Sequence, residues 1–179
     1  MHRLFIAIVP PQDIRDLLTD AMDDSAELRW VADEQLHLTL RFVGEVERPL
    51  ANDLAAALGQ LRSGAFEMRV AGAGHFERRS GGAVWAAVEP KAPVAALAAK
   101  VERVCQGVGL GPERRAFHPH ITLARWNRAG AGAARDFLER IRGLVSSPFT
   151  VDRVVLFESR LSRHGPHYEA VATYPLHAA

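Results

Sequence analysis

The sequence has little cysteine, no excess of charge and no long apolar run. A single cysteine, Cys105, excludes an intramolecular disulfide framework and a metal site built from several cysteines. The 22 basic and 21 acidic side chains leave a net charge of +1, so global charge does not argue for nucleic acid and any anion must be held locally. No apolar stretch reaches the roughly 18 residues of a transmembrane helix. The apolar run Leu4–Val9 is too short for a signal-peptide core, and we expect a cytoplasmic protein.

Length and composition fit one globular domain. A chain of 179 residues lies within the usual domain range of about 100–200 residues. Its 48% hydrophobic and 24% charged residues are ordinary, and a chain of this size buries a core without disulfides or metals. We therefore expect residues 1–179 to form a single domain.

Two short segments share one pattern: residues 37–40 read His-Leu-Thr-Leu and residues 120–123 read His-Ile-Thr-Leu. Side chains alternate between the two faces of a strand, so each histidine and threonine project to one face and the apolar residues to the other. Side by side, two such strands would line a groove with two imidazoles and two hydroxyls above an apolar floor. The pattern predicts a functional site in that groove.

The two halves of the chain repeat one order of elements. Each begins with an apolar strand, Leu4–Val9 or Ala83–Val88, that stops at a proline and leads through a helix and a loop to a His-x-Thr strand. The two histidines are 83 residues apart (120 − 37), and Phe5 and Trp85 in the apolar strands are 80 apart (85 − 5). This agreement indicates a duplicated unit, whose two-fold symmetry would bring the equivalent strands to face each other across a cleft.

Apolar periodicity and turn residues predict the remaining elements. Helical spacing predicts a helix that begins at Pro11 and helices over 50–61, 94–105 and 133–145. Strands are predicted over 36–43, 66–71, 149–157 and 168–174. Gly44 ends the first of these strands, a glycine-rich turn region surrounds His75 and Phe76, and residues 163–166 form a turn between the last two strands.

The residue types of the two tetrapeptides suit acid–base chemistry on an anion. Histidine, with an unperturbed pKa of about 6.5, serves as acid or base near neutral pH, and a pair can remove one proton while adding another. The threonine hydroxyls can donate to an anionic group between the imidazoles, and Arg125, five residues past His120, adds a planar cation suited to phosphate oxygens. Together they indicate a site for a phosphodiester, and nothing in the pattern requires a metal.

Each feature also has a more ordinary interpretation. A single His-x-Thr segment is usually just tolerated on a half-exposed strand, whereas two copies in a duplicated unit favour a site. A zinc site formed by His37, His118 and His120 is another possibility, but no carboxylate or cysteine stands at a suitable spacing, and the threonines would have no role. Three further histidines are expected at the surface: His75, His164 and His167. Four aromatic residues either stack a nucleobase or pack in the core: Phe42, Phe76, Phe117 and Trp126.

With these motifs the chain resembles the 2H phosphoesterase superfamily and, within it, the bacterial RNA 2′,3′-cyclic phosphodiesterases, also called 2′-5′ RNA ligase-like proteins. The resemblance covers nearly the whole chain and rests on these segments: Arg3–Ala7, Leu36–Leu40, Gly44–Val46, Phe117–Arg125, Leu156–Ser159 and Gly165–Tyr168. It implies an α+β, bilobal fold, with two pseudo-symmetric lobes whose antiparallel sheets flank a central groove and whose helices lie outside.

The resemblance also implies an activity and the residues that perform it. The family hydrolyses a 2′,3′-cyclic phosphate at an RNA 3′ end to a 2′-phosphate, without cofactor or metal, and also joins RNA ends reversibly through 2′-5′ linkages. By this resemblance His37 is the proton donor to the departing 3′ oxygen, and His120 is the base that takes the proton from water. Thr39, Thr122 and Arg125 hold the phosphate. The expected partner is an RNA or oligonucleotide end with a cyclic phosphate, and the expected state is a monomer.

Two other functions use the same groove. The chain would be a 2H-type esterase for another cyclic phosphate or a small ester if the catalytic pair were kept and the binding surface changed. It would be a non-catalytic RNA-end binder if the groove bound such ends without turning them over. One departure from the family pattern bears on substrate binding: His118 precedes Pro119, where relatives often carry a long basic residue.

Overall fold

The structure is a computed structural model that describes residues 1–178, and in these residues it combines nine β-strands with four α-helices. The strands are β1 (His2–Ile8), β2 (Leu28–Trp30), β3 (Leu38–Val46), β4 (Phe66–Arg78), β5 (Gly81–Glu89), β6 (His120–Asn127), β7 (Phe149–Val151), β8 (Arg153–Ser162) and β9 (Gly165–Pro175). The helices are α1 (Gln12–Ala21), α2 (Arg48–Leu58), α3 (Lys91–Gly107) and α4 (Ala131–Ile141). Each predicted helix is present, with its bounds shifted by a few residues.

The sheet consists of two antiparallel halves that meet at one residue pair. Its strand order is β7-β4-β5-β6-β3-β1-β8-β9, and β2 pairs with the outer part of β6. The central strands β3 and β6 are joined through the pairing of Leu38 with Ile121. The α+β fold with two antiparallel lobes is therefore confirmed. The equivalent strands, however, lie side by side in one sheet, and the expectation that they face each other across a cleft is wrong.

The two halves of the chain exchange strands between the two halves of the sheet. The strand β4, from the first half of the chain, lies beside β5, whereas β8, from the second half, lies beside β1. The sheet half β3-β1-β8-β9 and the sheet half β6-β5-β4-β7 thus each contain strands from both parts of the sequence.

One apolar core lies between the four helices and one face of the sheet. All four helices contribute buried residues to it, and so do alternate residues of the strands, such as Leu4, Ile6 and Ile8 of β1. Because side chains alternate along a strand, Phe5 and Ala7 point to the opposite, helix-free face. Because burial in the core fixes which side chains point towards the helices, it also fixes which side chains lie on the helix-free face. In residues 1–178 no helix combines the length and apolar character needed to cross a bilayer.

Gly44 lies inside a strand, so the prediction that it ends the strand is wrong. Leu4 pairs with Gly44 and Phe5 with Phe42, so Val43 is an extra residue that bulges from the ladder. Gly44 has φ +85°, a left-handed conformation that glycine adopts without a Cβ penalty. The glycine therefore permits a bulge, and β3 continues to Val46.

The turn predicted around His75 and Phe76 is also wrong, because β4 runs through both residues. The chain reverses instead at 79–80, between β4 and β5. Gly74, one of the glycines on which a turn beside His75 would depend, lies under the indole ring of Trp85, and a Cβ there would overlap the ring. A glycine needed for close packing has the same sequence signature as one needed for a turn.

The single strand predicted over 149–157 is two strands separated at Asp152. The short strand β7 pairs with β4, whereas β8 pairs with β1 in the other half of the sheet. The last prediction, a turn between two terminal strands, is confirmed by the β8–β9 hairpin.

Candidate active site

The pairing of Leu38 with Ile121 brings the two His-x-Thr segments together. Both residues are fully buried, at 0% exposure, and point into the core. Their sequence neighbours therefore project to the helix-free face. The antiparallel register sets the histidine of each segment opposite the threonine of the other. Two imidazoles and two hydroxyls share one face of the sheet, as the alternating pattern predicts.

Each imidazole is oriented by a backbone carbonyl two residues before it. The Nδ1 atom of His37 is 2.6 Å from the carbonyl oxygen of Gln35, and Nδ1 of His120 is 2.6 Å from that of His118. A carbonyl only accepts, so Nδ1–H donates in both rings, and in the neutral rings Nε2 carries the lone pair. The Nε2 atom of His37 is 3.0 Å from Oγ1 of Thr39, whose hydroxyl donates to it. Both rings thus leave Nε2 as the nitrogen that can exchange a proton with a ligand.

Each imidazole also meets one aromatic ring nearly edge to face. The ring of Tyr168 in β9 lies 5.5 Å from that of His37 at 87°, and the ring of Phe76 in β4 lies 4.9 Å from that of His120 at 86°. Such contacts restrict the rotation of the imidazoles. No spacing in the sequence ties Tyr168 to His37, because β9 reaches the site only through the sheet order.

A second ring packs beside each imidazole from the neighbouring apolar strand. Phe5 of β1 lies 4.9 Å from the ring of His37, and Trp85 of β5 lies 5.7 Å from that of His120. In the sequence these two aromatic residues mark equivalent positions of the two apolar strands. Their position on the helix-free face gives them a second role, as packing partners of the two histidines.

A β-bulge brings Arg125 to the same face as the histidines. Thr122 pairs with Trp85 and Ala124 with Val84, so Leu123 is an extra residue in β6. Leu123 and Ala124 are both fully buried, and the alternation changes phase between them. Arg125, an odd number of residues from His120, is exposed on the site face as a result. In a regular strand it would point the other way.

The first half of the sheet carries the same bulge at the equivalent residue. Thr39 pairs with Ala7 and Arg41 with Ile6, so Leu40 is extra, as Leu123 is in β6. In this register Ala7, and not Phe5, is the counterpart of Trp85. The two apolar strands are therefore offset by 78 residues (85 − 7) and not by the 80 that Phe5 and Trp85 suggest. The two halves of the sheet thus resemble each other in the irregularities of their strands as well.

Burial and neighbouring positive charge lower the pKa of both histidines. For His37, desolvation by burial is the main cause, and the Coulombic fields of His120 and Arg125 act in the same direction. For His120, desolvation again comes first, followed by Arg125 and His118. The hydrogen bonds to the carbonyls oppose these effects without cancelling them. Both imidazoles are therefore neutral at pH 7, in a pocket whose field favours an anion.

A cavity of about 770 Å³ adjoins the His120 side of the site. It opens where β3 and β6 diverge beyond their single pair, and it is bounded by β3, the end of β4, α3 and residues 113–118. Phe42 and Phe76 line it and are 38% and 40% exposed. Trp126, by contrast, is a core residue at 6% exposure. Of the aromatic candidates, Phe42 and Phe76 are thus partly exposed in the cavity, and Phe117 lines it while packing against the core.

An ion-pair network forms one wall of this cavity. The Arg41 guanidinium, whose side chain is 10% exposed, contacts the carboxylates of Glu102 in α3 and Glu113 in the segment that leads to His120. The hydrogen bonds from Arg115 hold the pKa of the Glu113 carboxyl at about 2. The network ties β3 to the chain before β6 and leaves the wall without an unpaired carboxylate.

None of the other histidines described belongs to the pair, although His118 lines the cavity. His118 is exposed, and it contributes its backbone carbonyl to the orientation of His120. The surface positions predicted for His75, His164 and His167 are confirmed. Within residues 1–178 the structure contains no group of three or more His, Cys, Asp or Glu residues that could hold a metal ion.

Comparison with known proteins identifies relatives along most of the chain. The sequence is 36% identical to an RNA 2′,3′-cyclic phosphodiesterase of Aeropyrum pernix over 147 residues, covering 80% of this chain and 84% of that protein. It is 32% identical to an RNA 2′,3′-cyclic phosphodiesterase of Geobacillus stearothermophilus over 96% of this chain, and it spans 56% of that longer relative. The crystal structure of E. coli LigT complexed with 3′-AMP superposes with a TM-score of 0.75 at 27% identity, covering 98% of both chains.

The sequence model of the 2′-5′ RNA ligase superfamily matches residues 9–163. The match includes both His-x-Thr segments, the bulges at Leu40 and Leu123 and the ion-pair network beside them. The chain belongs to the 2′-5′ RNA ligase superfamily.

Proposed function

We propose that this protein hydrolyses the 2′,3′-cyclic phosphate at an RNA 3′ end to a 2′-phosphate, without a metal. The names of its relatives and its superfamily support this activity. The observation that carries the proposal is the pairing of Leu38 with Ile121, because it puts two imidazoles, each with Nδ1 occupied by a carbonyl, on one face of the sheet.

The two histidines act as a base and an acid in this proposal. The Nε2 atom of His120 takes a proton from water as the water oxygen bonds to phosphorus. The protonated Nε2 of His37 donates its proton to the 3′ oxygen as the bond between phosphorus and that oxygen breaks. The proton count of the pair is unchanged, since one ring gains what the other loses.

Three side chains hold the phosphate in the proposed complex. The hydroxyls of Thr39 and Thr122 face the same side as the imidazoles, and they can donate to the non-bridging oxygens. The Arg125 guanidinium supplies positive charge within reach of both rings, since its field lowers both histidine pKa values. Donors fixed in place before the reaction stabilise the charge of the transition state more than mobile water does.

The negative charge of the substrate favours the protonated form in which His37 can act as an acid. Burial keeps His37 neutral in the free protein, whereas a bound phosphate anion favours its imidazolium form. When the phosphate binds, the hydroxyl of Thr39 stops donating to Nε2 of His37, and Nε2 takes up a proton. The proposal therefore predicts that substrate binding and proton uptake at His37 are coupled.

The remaining sequence predictions belong to the same proposal. Residues 1–179 act as one catalytic domain of two duplicated lobes, on RNA ends in the cytoplasm, and as a monomer. A nucleotide-sized ligand suits the site, in keeping with the 3′-AMP complex of E. coli LigT.

A direct assay tests the activity. Purified protein is incubated with adenosine 2′,3′-cyclic phosphate in the presence of EDTA, and the 2′- and 3′-monophosphates are separated. We expect the 2′-monophosphate alone. His37→Ala and His120→Ala should each lower turnover roughly 10²–10⁴-fold. His75→Ala, at an exposed histidine outside the cavity lining, serves as the matched control.

The outcomes separate the candidate functions. Turnover of a different cyclic phosphate or ester, with the same dependence on His37 and His120, would identify another 2H-type esterase. Tight binding of a cyclic-phosphate RNA without product would identify an RNA-end binder. Wild-type turnover in either histidine variant would refute the proposed mechanism.

A further inference from the structure

We infer that Arg29 binds a second phosphate, the one on the 5′ oxygen of the nucleoside whose 2′,3′-cyclic phosphate reacts. This site rests on the proposed function and narrows its substrate class. Ends that carry a phosphate on that 5′ oxygen are the preferred substrates, and a nucleoside cyclic phosphate without it is a poorer one.

The register of β2 against β6 places Arg29 on the same face as the catalytic pair. Arg29 is directly opposite Arg125, and its neighbour Leu28 is opposite Trp126, with both of the latter buried in the core. Because side chains alternate along a strand and directly opposite residues share a face, both arginines project to the helix-free face. Both are exposed there. The site face therefore carries two arginines side by side.

Arg29 lies on the His37 side of the site. The strand β5 covers one edge of β6, so β2 and β3 both lie along the other edge. His37, at the start of β3, is opposite Thr122, and Arg29 is further along the same edge. In the partner strand β5 only two residues of rise separate Thr122 from Arg125. At roughly 3.4 Å per residue and roughly 4.8 Å between strands, the backbone of Arg29 is roughly 8 Å from that of Thr122.

The reacting phosphate already has a cation of its own. The positive charges that lower the pKa values of His37 and His120 include that of Arg125, whereas Arg29 is not among them. Arg125 thus acts on the groups around the phosphorus, and Arg29, one strand further out, is placed for an anion beside it.

The orientation of the substrate fits this position. In the proposed mechanism the departing 3′ oxygen faces His37, so the ribose that carries this oxygen lies on the His37 side as well. The 5′ oxygen of the same ribose, with its phosphate, continues away from the reacting phosphorus. The strand β2, with Arg29 at its centre, lies in this direction.

The opposition of two arginines favours an anion between them. Like charges directly opposite each other in an antiparallel pair destabilise a sheet. At another position of this sheet an arginine is opposite a carboxylate, since Arg69 pairs with Glu89 and forms an ion pair with it. Within residues 1–178 neither Arg29 nor Arg125 forms an ion pair. Two phosphates separated by one nucleoside would neutralise both guanidinium groups.

The carboxylates closest to Arg29 in the sequence have other partners. Glu27, two residues before it, accepts a hydrogen bond from Oγ of Ser25 at 2.8 Å. Asp33, four residues after it, accepts one from Nε2 of Gln12 at 3.1 Å. The guanidinium of Arg29 is therefore available to an anion from outside the chain.

Three substrates with the same cyclic phosphate test the second site. Adenosine 2′,3′-cyclic phosphate has no 5′ phosphate, its 5′-phosphorylated form has a terminal one, and adenylyl-(3′→5′)-adenosine 2′,3′-cyclic phosphate has an internal one. Formation of the 2′-phosphate is followed for each at one ionic strength. Arg29→Gln removes the charge and Arg29→Lys keeps it. Arg135→Gln, at an exposed arginine of α4, is the matched control.

We expect wild-type protein to favour both 5′-phosphorylated substrates roughly tenfold in kcat/KM, the scale of one hydrogen bond to a charged group. Arg29→Gln should lower kcat/KM on these two roughly tenfold more than on adenosine 2′,3′-cyclic phosphate. Arg29→Lys should keep most of the preference, and Arg135→Gln should keep all of it. The preference should weaken as salt is added, and less steeply in Arg29→Gln, because one phosphate contact fewer releases fewer counterions.

Two results would overturn the inference while leaving the proposed function intact. Equal kcat/KM of wild-type protein on all three substrates would show that a 5′ phosphate makes no contact of consequence. A preference that survives unchanged in Arg29→Gln would assign the second phosphate, or the second nucleoside of the dinucleotide, to other residues. Absence of hydrolysis of all three substrates would refute the proposed function and this inference with it.

Discussion

Leu38 pairs with Ile121, and through this one pair the two halves of the sheet meet. Both side chains point into the core, so the residues on either side of them point to the site. The same contact that joins the halves sets the distance between the two imidazoles.

Loss of either threonine hydroxyl should slow the reaction while leaving the fold intact. Thr39→Val and Thr122→Val keep the shape of the side chain and remove a donor to the phosphate. We expect kcat/KM for adenosine 2′,3′-cyclic phosphate to fall roughly 10²-fold in each variant. Thr150→Val, at an exposed position of β7, is a matched control that should keep wild-type kinetics. Unchanged kinetics in both site variants would exclude the hydroxyls as phosphate donors.

The protonation of the two histidines should follow the occupancy of the site. Burial and positive neighbours hold both pKa values below the ordinary value of about 6.5. An NMR titration of the imidazole Cε1–H signals should give midpoints below that value in the free protein. Inorganic phosphate should move the midpoint of His37 upward, and phosphate affinity should rise as the pH falls from 7 towards 6. A midpoint of His37 that does not respond to phosphate would contradict the coupling.

The lowered pKa of His37 also makes the stability of the folded protein depend on pH. Between the folded pKa of His37 and about 6.5, the unfolded chain binds more protons than the folded chain. The stabilisation that goes with a neutral His37 is therefore complete above the unfolded pKa and is lost as the pH falls through the folded pKa. Urea unfolding of wild type between pH 7.5 and 5 should show a larger loss of free energy of unfolding than that of His37→Gln. If the free energies of unfolding of wild type and His37→Gln changed in parallel with pH, the pKa of His37 would not be lowered in the folded protein.

Removal of the Arg125 charge should change both catalysis and the histidine pKa values. The field of Arg125 lowers the pKa of His37 and of His120, so Arg125→Gln should raise both. The acid limb of the pH profile of kcat/KM should then move to higher pH, while kcat/KM at its maximum falls. Arg128→Gln, an exposed arginine three residues further on, is the control. A loss of rate with no movement of the acid limb would place the Arg125 guanidinium away from the imidazoles.

A side chain at Gly74 should disturb the packing beside His120. A Cβ at Gly74 overlaps the indole of Trp85, and that indole packs beside the imidazole. Gly74→Val should destabilise the protein by about 1–3 kcal/mol, the usual cost of overpacking, and should lower turnover as well. Gly64→Val, where a Cβ meets nothing within 4 Å, is the control. Urea unfolding and the cyclic phosphate assay measure the two effects.

The sequence predicts the common face of the histidine and threonine in each His-x-Thr segment better than it predicts the strands that carry the segments. Alternation along a strand is a local rule, so the common face of His37 and Thr39 follows from their spacing of two. The neighbours of the two histidines do not follow from local rules. Tyr168 reaches His37 only because β8 and β9 extend the first half of the sheet, and sheet order depends on contacts between distant parts of the chain.

The bulges show where periodicity stops being informative. The sequence proposes Arg125 for the site on chemical grounds, although an odd spacing from His120 assigns it to the wrong face. The extra residue Leu123 shifts the alternation of side chains in β6 by one residue, so that Arg125 lies on the same face as His120. Nothing in the local sequence pattern marks Leu123 as the extra residue. The errors at Gly44 and Gly74 have the same origin, because a glycine in a bulge, under a ring or in a turn looks alike in sequence.

The exchange of β4 and β8 means that neither half of the sequence encodes a self-sufficient lobe. A cut in the turn at 79–80 would leave an amino-terminal fragment that holds β1 and β3 without β8, and a carboxy-terminal fragment that holds β5 and β6 without β4. Each fragment would have a strand edge with unpaired backbone N–H and C=O groups, and the strand that pairs with this edge lies in the other fragment. Such fragments would be expected to regain structure, and with it the histidine pair, only when mixed. The two halves of the chain are thus interlocked, and we expect them to fold together.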